Sequence, residues 1–263
     1  MRCSVKRACA LMGLVCACDA DLPVYSQVEG LRVLAVAAEP PQVPAGQPAT
    51  LSALVASPGA TTYQWRWCPA PTEAADGHAC PWSGPLPPGA PPLTLGEAEV
   101  ARLPGLSQAA LLELCAALGQ PGCEALEAEV ALTVTAAGET VEARKTLRLL
   151  TGAAPAPENP ALLGVEATQA GLQTRLSTAA ATPLTGPAAD LTVMADGDPS
   201  ALTATWFVDG GELDFSRTRP EPMGPENTWT LPTVDGPARL FVVLRDADGG
   251  TAWRTYPVQV VAP

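Results

Sequence analysis

The sequence predicts an all-β protein made of two tandem antiparallel β-sandwiches, and three observations carry that prediction. Short stretches alternate apolar and polar residues with a period of two, the period of a strand with one buried face. Proline and glycine clusters separate those stretches at close intervals, as turns between short strands require. The whole pattern then occurs twice, each time with a tryptophan in the third strand and a closing hairpin.

In the first half Leu31, Val33 and Ala35 alternate until Glu39-Pro40-Pro41, where proline supplies no donor to the ladder. Val43-Pro44-Ala45-Gly46 turns the chain, and Leu51, Ala53 and Val55 mark the next strand. After Ser57-Pro58-Gly59 a third strand sets Tyr63, Trp65 and Trp67 opposite Thr62, Gln64 and Arg66. Val130, Leu132 and Val134 then pass through Ala137-Gly138-Glu139 into a partner strand over 141–150, with Lys145 breaking its alternation. The second half repeats the order. Leu191, Val193 and Ala195 are followed by Leu202, Ala204, Trp206 and Val208, and Leu240, Val242 and Leu244 turn through residues 246–250 into 253–261. Leu51 to Trp65 spans 14 residues and Leu191 to Trp206 spans 15, so the two units share a register.

The halves differ over residues 68–127, far longer than an ordinary loop. This reads as an insertion with a helix of its own. Ser107 caps it, Ala110, Leu111, Leu114, Cys115 and Leu118 keep its period, and Gly119 then Pro121 end it. Four cysteines, Cys68, Cys80, Cys115 and Cys123, lie in the insertion. Three pairings are open to them, of which Cys68–Cys80 with Cys115–Cys123 closes the shortest loops. Stapled in that way, the insertion would be ordered on the first sandwich. Thr-Gly-Ala-Ala-Pro-Ala-Pro-Glu-Asn-Pro, ending at Pro160, reads as an extended spacer of up to ~30 Å.

The N-terminus assigns the compartment. Arg2, Lys6 and Arg7 precede a short apolar run ending at Ala17, the layout of a secretory signal. Val15-Cys16-Ala17-Cys18 resembles the lipobox of bacterial lipoproteins, with Cys16 an unusual second residue. That resemblance implies that Cys18 becomes the first mature residue and carries a lipid; an ordinary cut near Ala17 or Ala20 is the alternative. The chain then divides into a signal over 1–17, a tether over 18–30, a first domain over 31–151 with the insertion 68–127, a linker over 152–160 and a second domain over 161–263. Loss of the signal leaves 12 basic and 27 acidic residues, a formal charge of −15. Such a surface repels phosphate backbones, which disfavours binding of nucleic acid or anionic membranes by charge, and no nucleic-acid partner is expected. Membrane attachment would come from the N-terminal lipid.

The strand-three tryptophans, the Glu-Pro-Pro ending of the first strand and the final hairpins resemble immunoglobulin-like and PKD-like domains of bacterial surface proteins. With the lipobox they resemble the tandem Ig-like lipoproteins common in myxobacteria. No cysteine pair stands where the inter-sheet bridge of antibody domains would be.

Chemistry-bearing residues are few. His78 is the single histidine, so a triad or a Cys–His pair would have to use it, and no catalytic set is assigned. Zinc at His78 with the four cysteines lacks the close cysteine pairs such sites use, so no metal and no cofactor is expected. Asp196-Gly197-Asp198, Asp209-Gly210-Gly211 and Asp246-Ala247-Asp248-Gly249-Gly250 read as turns, with calcium the sharper alternative. Of six tryptophans, Trp65 and Trp206 fit core positions and Trp67, Trp82, Trp229 and Trp253 are less clearly inward. Packing against a sheet edge or a long loop is the plainer reading for most of these, with Trp82, Trp229 and Trp253 the candidates for binding sugars or partner proteins. The expected function is a non-enzymatic, lipid-anchored envelope protein that presents two Ig-like domains for protein binding or scaffolding. A polysaccharide-binding lipoprotein is the alternative, and a carboxylate-based hydrolase comes third.

Overall fold

A computed structural model describes residues 25–69, 80, 86–152, 155–220 and 226–261, and these form two β-sandwiches. The first is built from β1 (Arg32–Glu39), β2 (Gln42–Pro44), β3 (Ala49–Ala56), β4 (Thr62–Cys68), β5 (Thr94–Gly96), β6 (Ala101–Leu103), helix α1 (Gln108–Ala117), β7 (Ala125–Ala136) and β8 (Glu139–Leu150). Its sheets run β1-β3-β6 and β2-β8-β7-β4-β5. The chain changes sheets at Pro40-Pro41, where the donor row is interrupted, and β2 then runs parallel to the last strand, β8.

The second sandwich follows the same plan. It comprises β9 (Ala161–Gln169), β10 (Leu172–Arg175), β11 (Thr182–Thr185), β12 (Ala188–Asp196), β13 (Thr203–Val208), β14 (Glu212–Leu213), β15 (Arg217–Thr218), β16 (Asn227–Thr230), β17 (Gly236–Arg245) and β18 (Thr251–Val261). Its sheets run β10-β9-β12-β16-β14 and β11-β18-β17-β13-β15, and again a switched edge strand, β11, lies parallel to the last one. This strand order is that of an Ig-like sandwich, so the chain carries two in tandem.

Each core is filled by the inward halves of the alternating strands. Trp65 and Trp206 are fully buried, in register with Leu132 and Val242 on the neighbouring strand. Their indole N–H groups donate to the Ala98 carbonyl (2.9 Å) and the Thr218 hydroxyl (2.7 Å), so neither polar atom is orphaned. Trp67 is buried beside Trp65 and donates to the Pro92 carbonyl.

The stretch 68–127 is two additions rather than one. Inside it β5 pairs with β4 and β6 pairs with β3, so both belong to the sandwich. Strands of three residues are too short to show alternation, which is why the sequence merges them with their flanks. What remains is a proline-rich arm between β4 and β5, held by the Cys68–Cys80 disulfide, and a crossover between β6 and β7 that holds α1. Ser107 caps α1 by accepting from the Ala110 N–H, and Leu111, Leu114 and Cys115 press into the core. The Cys115–Cys123 disulfide joins the end of the helix to the returning chain.

Two expectations are corrected. The first strand does not alternate through Ala35, because a bulge at Leu34 shifts the register between Val33 and Ala35. Leu31, Val33, Val36 and Ala38 therefore pack on the core, while Leu34 and Ala35 both turn to the opposite face. Nor does the proline-containing linker act as an extended spacer. The two sandwiches pack side by side, and the linker residue Asn159 is bonded to both.

Candidate functional site

The distinctive surface of the molecule is the seam between the sandwiches. Leu34, Ala35, Leu54 and Ala56, on the outer face of β1 and β3, meet Phe207, Phe241 and Val243, on the outer face of β13 and β17. Val28 completes this apolar cluster and Trp253 packs at its rim. Polar contacts close the edges. Asn159 donates to the Ala38 carbonyl (2.9 Å) and to the Glu39 carboxylate, and its own carbonyl accepts from the Thr251 N–H (2.7 Å). Lys145 donates to the Gly249 carbonyl (2.7 Å), and burial lowers the pKa of its ammonium. Arg245 reaches the Leu34 carbonyl and the Thr205 hydroxyl, and burial is likewise the main cause lowering its pKa.

The segment ahead of the first sandwich is bound to the second. Val28 N–H donates to the Val208 carbonyl (2.8 Å) and Val208 N–H to the Ser26 carbonyl (2.9 Å), so residues 26–28 lengthen the β13 edge of that sheet. Gln27 adds a side-chain bond to the Gly211 carbonyl. The tether expected over 18–30 is thus held along its last residues.

The residues singled out from sequence are distributed as follows. Cys18, His78 and Trp82 lie outside the described residues. Trp229 is fully buried in the second core and donates to the Gly210 carbonyl (3.0 Å), so it is a packing residue and not an exposed stacking platform. The Asp209-Gly210-Gly211 turn is shaped around that indole: at Gly211, with φ +77°, a Cβ would lie 2.8 Å from Trp229 Nε1 and 2.3 Å from the Thr230 carbonyl oxygen. Asp209 is bonded through both carboxylate oxygens to Arg239. Asp246 accepts from the N–H groups of Asp248 (2.9 Å) and Gly250 (2.7 Å), the bonding of a tight turn. Asp198 accepts from the hydroxyl and N–H of Ser200, which lowers its pKa. Among the described residues no three His, Cys, Asp or Glu side chains are arranged to hold a metal ion.

Among the described candidates, Trp253 keeps an accessible surface. It is half-buried in β18 and lines a shallow groove of about 550 Å³ with Leu163, Thr178, Arg254 and Thr255. Arg254 and Arg175 donate to the neighbouring carbonyls of Leu162 and Leu163 (2.7 Å each), which holds two cations beside the groove. Nearby, the Tyr256 hydroxyl is buried without a hydrogen-bond partner among the described residues, and burial pushes its pKa up to about 12. Sequence reading found Trp253 but missed the seam, because Leu34, Phe207 and Phe241 sit at positions that alternation assigns to solvent.

No protein-family model matches the chain, and no curated relative matches it. Solved structures similar to it include tandem Ig repeats of Dlar (13% identity, TM-score 0.31, covering 90% of this chain and 100% of that one). The N-terminal Ig1-2 module of the Drosophila receptor protein tyrosine phosphatase DLAR gives 12% identity and TM-score 0.28 over 89% of this chain and 100% of that one. The D00-D0 domain of intimin gives 11% identity and TM-score 0.26 over 88% and 98%. Likeness at this level carries no function, and the Ig-like assignment rests on the strand order described above. Two disulfides belong to an oxidising compartment. Among the described residues no helix is long and apolar enough to cross a membrane.

Proposed function

We propose that the chain is an exported, non-enzymatic envelope protein, anchored by a lipid on Cys18, that presents its two Ig-like sandwiches as one rigid block for protein binding or scaffolding. The observation that supports this reading is the seam. A buried apolar cluster, an asparagine bonded across it and the backbone of residues 26–28 bonded to the edge of the second sheet make relative motion of the sandwiches costly. A fixed spacing between two surfaces is what a scaffold requires. The test is cross-linking in the native envelope, comparing the wild-type chain with a variant whose seam is broken by Phe207→Asp. Partner cross-links that depend on the intact seam support the proposal; an unchanged cross-link pattern from separated sandwiches overturns it. Mass spectrometry of the mature N-terminus tests the lipid separately.

A second reading has its own observation. The Trp253 groove joins an indole face to Arg254, Thr178 and Thr255, a combination suited to stacking and hydrogen bonding with a sugar. Titration of acidic and neutral envelope polysaccharides against tryptophan fluorescence, with Trp253→Ala as control, decides whether the groove binds glycan.

A further inference from the structure

The seam ends in a cluster of cations at the point where the tether leaves the fold. Tyr25 is the first described residue, 48% exposed, and its ring lies 5.6 Å from that of Phe207. The guanidinium of Arg32 stands 4.8 Å from the Tyr25 ring centre and that of Arg217 stands 5.6 Å from it. Arg245, whose guanidinium bonds to the Thr205 hydroxyl and the Leu34 carbonyl, adds a third cation, and Arg217 is one of the charges that lower its pKa. None of the three has an ion pair with a carboxylate among the described residues, where the paired arginines are Arg66, Arg144 and Arg239. Beside Arg217 along the chain stand the exposed Phe215 (59%) and the exposed Arg219.

The location makes this chemistry specific. The mature chain has 12 basic residues against 27 acidic ones, yet three of the 12 gather around one tyrosine. Most of such a surface is repelled by an anionic bilayer. The basic end is also the end joined to the tether. Between Cys18 and Tyr25 stand six residues, which reach at most about 24 Å even if fully extended. Tyrosine places an apolar ring and a polar tip at a membrane–water interface, and arginine pairs with phosphate through two parallel N–H groups. We infer that the face formed by Tyr25, Arg32, Arg217 and Arg219 rests on the anionic phospholipid head groups of the membrane that holds the anchor. This orients the block with the seam's arginine end down and the acidic remainder outward. The inference rests on the proposed lipid at Cys18. Two or three cations attract only weakly, on the order of fivefold in partitioning for each, so they orient a tethered chain and do not recruit a free one.

The test separates the face from the anchor. A full mature chain carrying Cys18→Ser is held by an N-terminal His tag on nickel-chelating lipid, in vesicles of phosphatidylcholine with or without phosphatidylglycerol. Hydrogen exchange is then followed along the chain. Slowed exchange over residues 25–34 and 213–219 is expected only with phosphatidylglycerol, and is expected to be lost in high salt and in the exposed-site double variant R217Q/R219Q. Equal exchange in both vesicles, or protection on another surface, overturns the inference. Protection that ignores phosphatidylglycerol and appears only with added acidic envelope proteins also overturns it and assigns the face to a protein. Flotation of the natively processed chain with vesicles reports on the anchor alone.

Discussion

The same sheet of the two sandwiches has the same inside and opposite outsides. On the inner face Trp65 and Leu132 in the first correspond to Trp206 and Val242 in the second, all fully buried. On the outer face the row Arg66–Ala131–Arg144 corresponds to Phe207–Phe241–Thr255, and Gln64–Thr133–Glu142 corresponds to Thr205–Val243–Trp253. The polar version is occupied by ion pairs of Arg144 with Glu129 and Glu142 and faces solvent. The apolar version is covered by the other sandwich. The opposite sheets complete the pattern. Both first strands have a bulge at their third residue, Leu34 and Leu163, but Leu34 is buried in the seam whereas Leu163 is 48% exposed. Asp196 stands where the first sandwich has Ala56. One unit therefore uses a face that its copy has made polar, so a contact between unlike faces that could in principle repeat stops after a single step.

The comparison can be broken at four places, in descending order of effect. Trp65→Ala and Trp206→Ala should each lower stability by about 3–5 kcal/mol, the range for a buried large aromatic. Denaturant titration giving a large loss for one and almost none for the other would end the equivalence of the two cores. Phe207→Ala and Arg66→Ala occupy matched positions and should differ: several kcal/mol for the first, within about 0.5 kcal/mol for the second. In Phe207→Asp a carboxylate replaces the ring that fills the apolar cluster, so small-angle scattering should show a larger radius of gyration with both sandwiches still folded. An unchanged radius would mean that the seam does not hold the block together.

Asn159→Ala removes bonds to both sandwiches and should cost about 1–3 kcal/mol, at roughly 1 kcal/mol for each net hydrogen bond. Faster exchange of the Thr251 amide is its local signature. Tyr256→Phe should be the smallest change, within about 0.5 kcal/mol at neutral pH, because the hydroxyl it removes has no partner. Its effect appears in alkali. The native Tyr256 keeps its proton up to about 12, while the unfolded side chain releases it near the ordinary tyrosine value of 10.0. The neutral form is therefore favoured by the native state, and stability declines as pH rises from about 10 to about 12. The phenylalanine variant should lack that part of the decline, and an identical alkaline curve would refute the burial of the hydroxyl.

What the sequence by itself determined was local and periodic. Alternation places Trp65, Leu132, Trp206 and Val242 inward because side chains in a strand point to opposite faces in turn. The Pro40-Pro41 break, the Ser107 cap and the short disulfide loops are equally local, since each is decided within about a dozen residues. The Asp-rich turns follow for the same reason: Asp246 bonds to amides only a few positions away. Long-range pairing was not legible. The strands β5 and β6 have three residues each and exist because β4 and β3 offer them a partner. Trp229 looked available because nothing near it in sequence announces that Gly210 and Gly211 close over it. The seam is the clearest case. Phe207 and Phe241 are out of phase with their own core, so periodicity sends them to solvent. They are buried only because a bulge at Leu34 turns an apolar patch toward them from more than a hundred residues away. A face that pairs with another domain obeys no local rule: its burial depends on the shape of a second surface, which exists only after both sandwiches have folded.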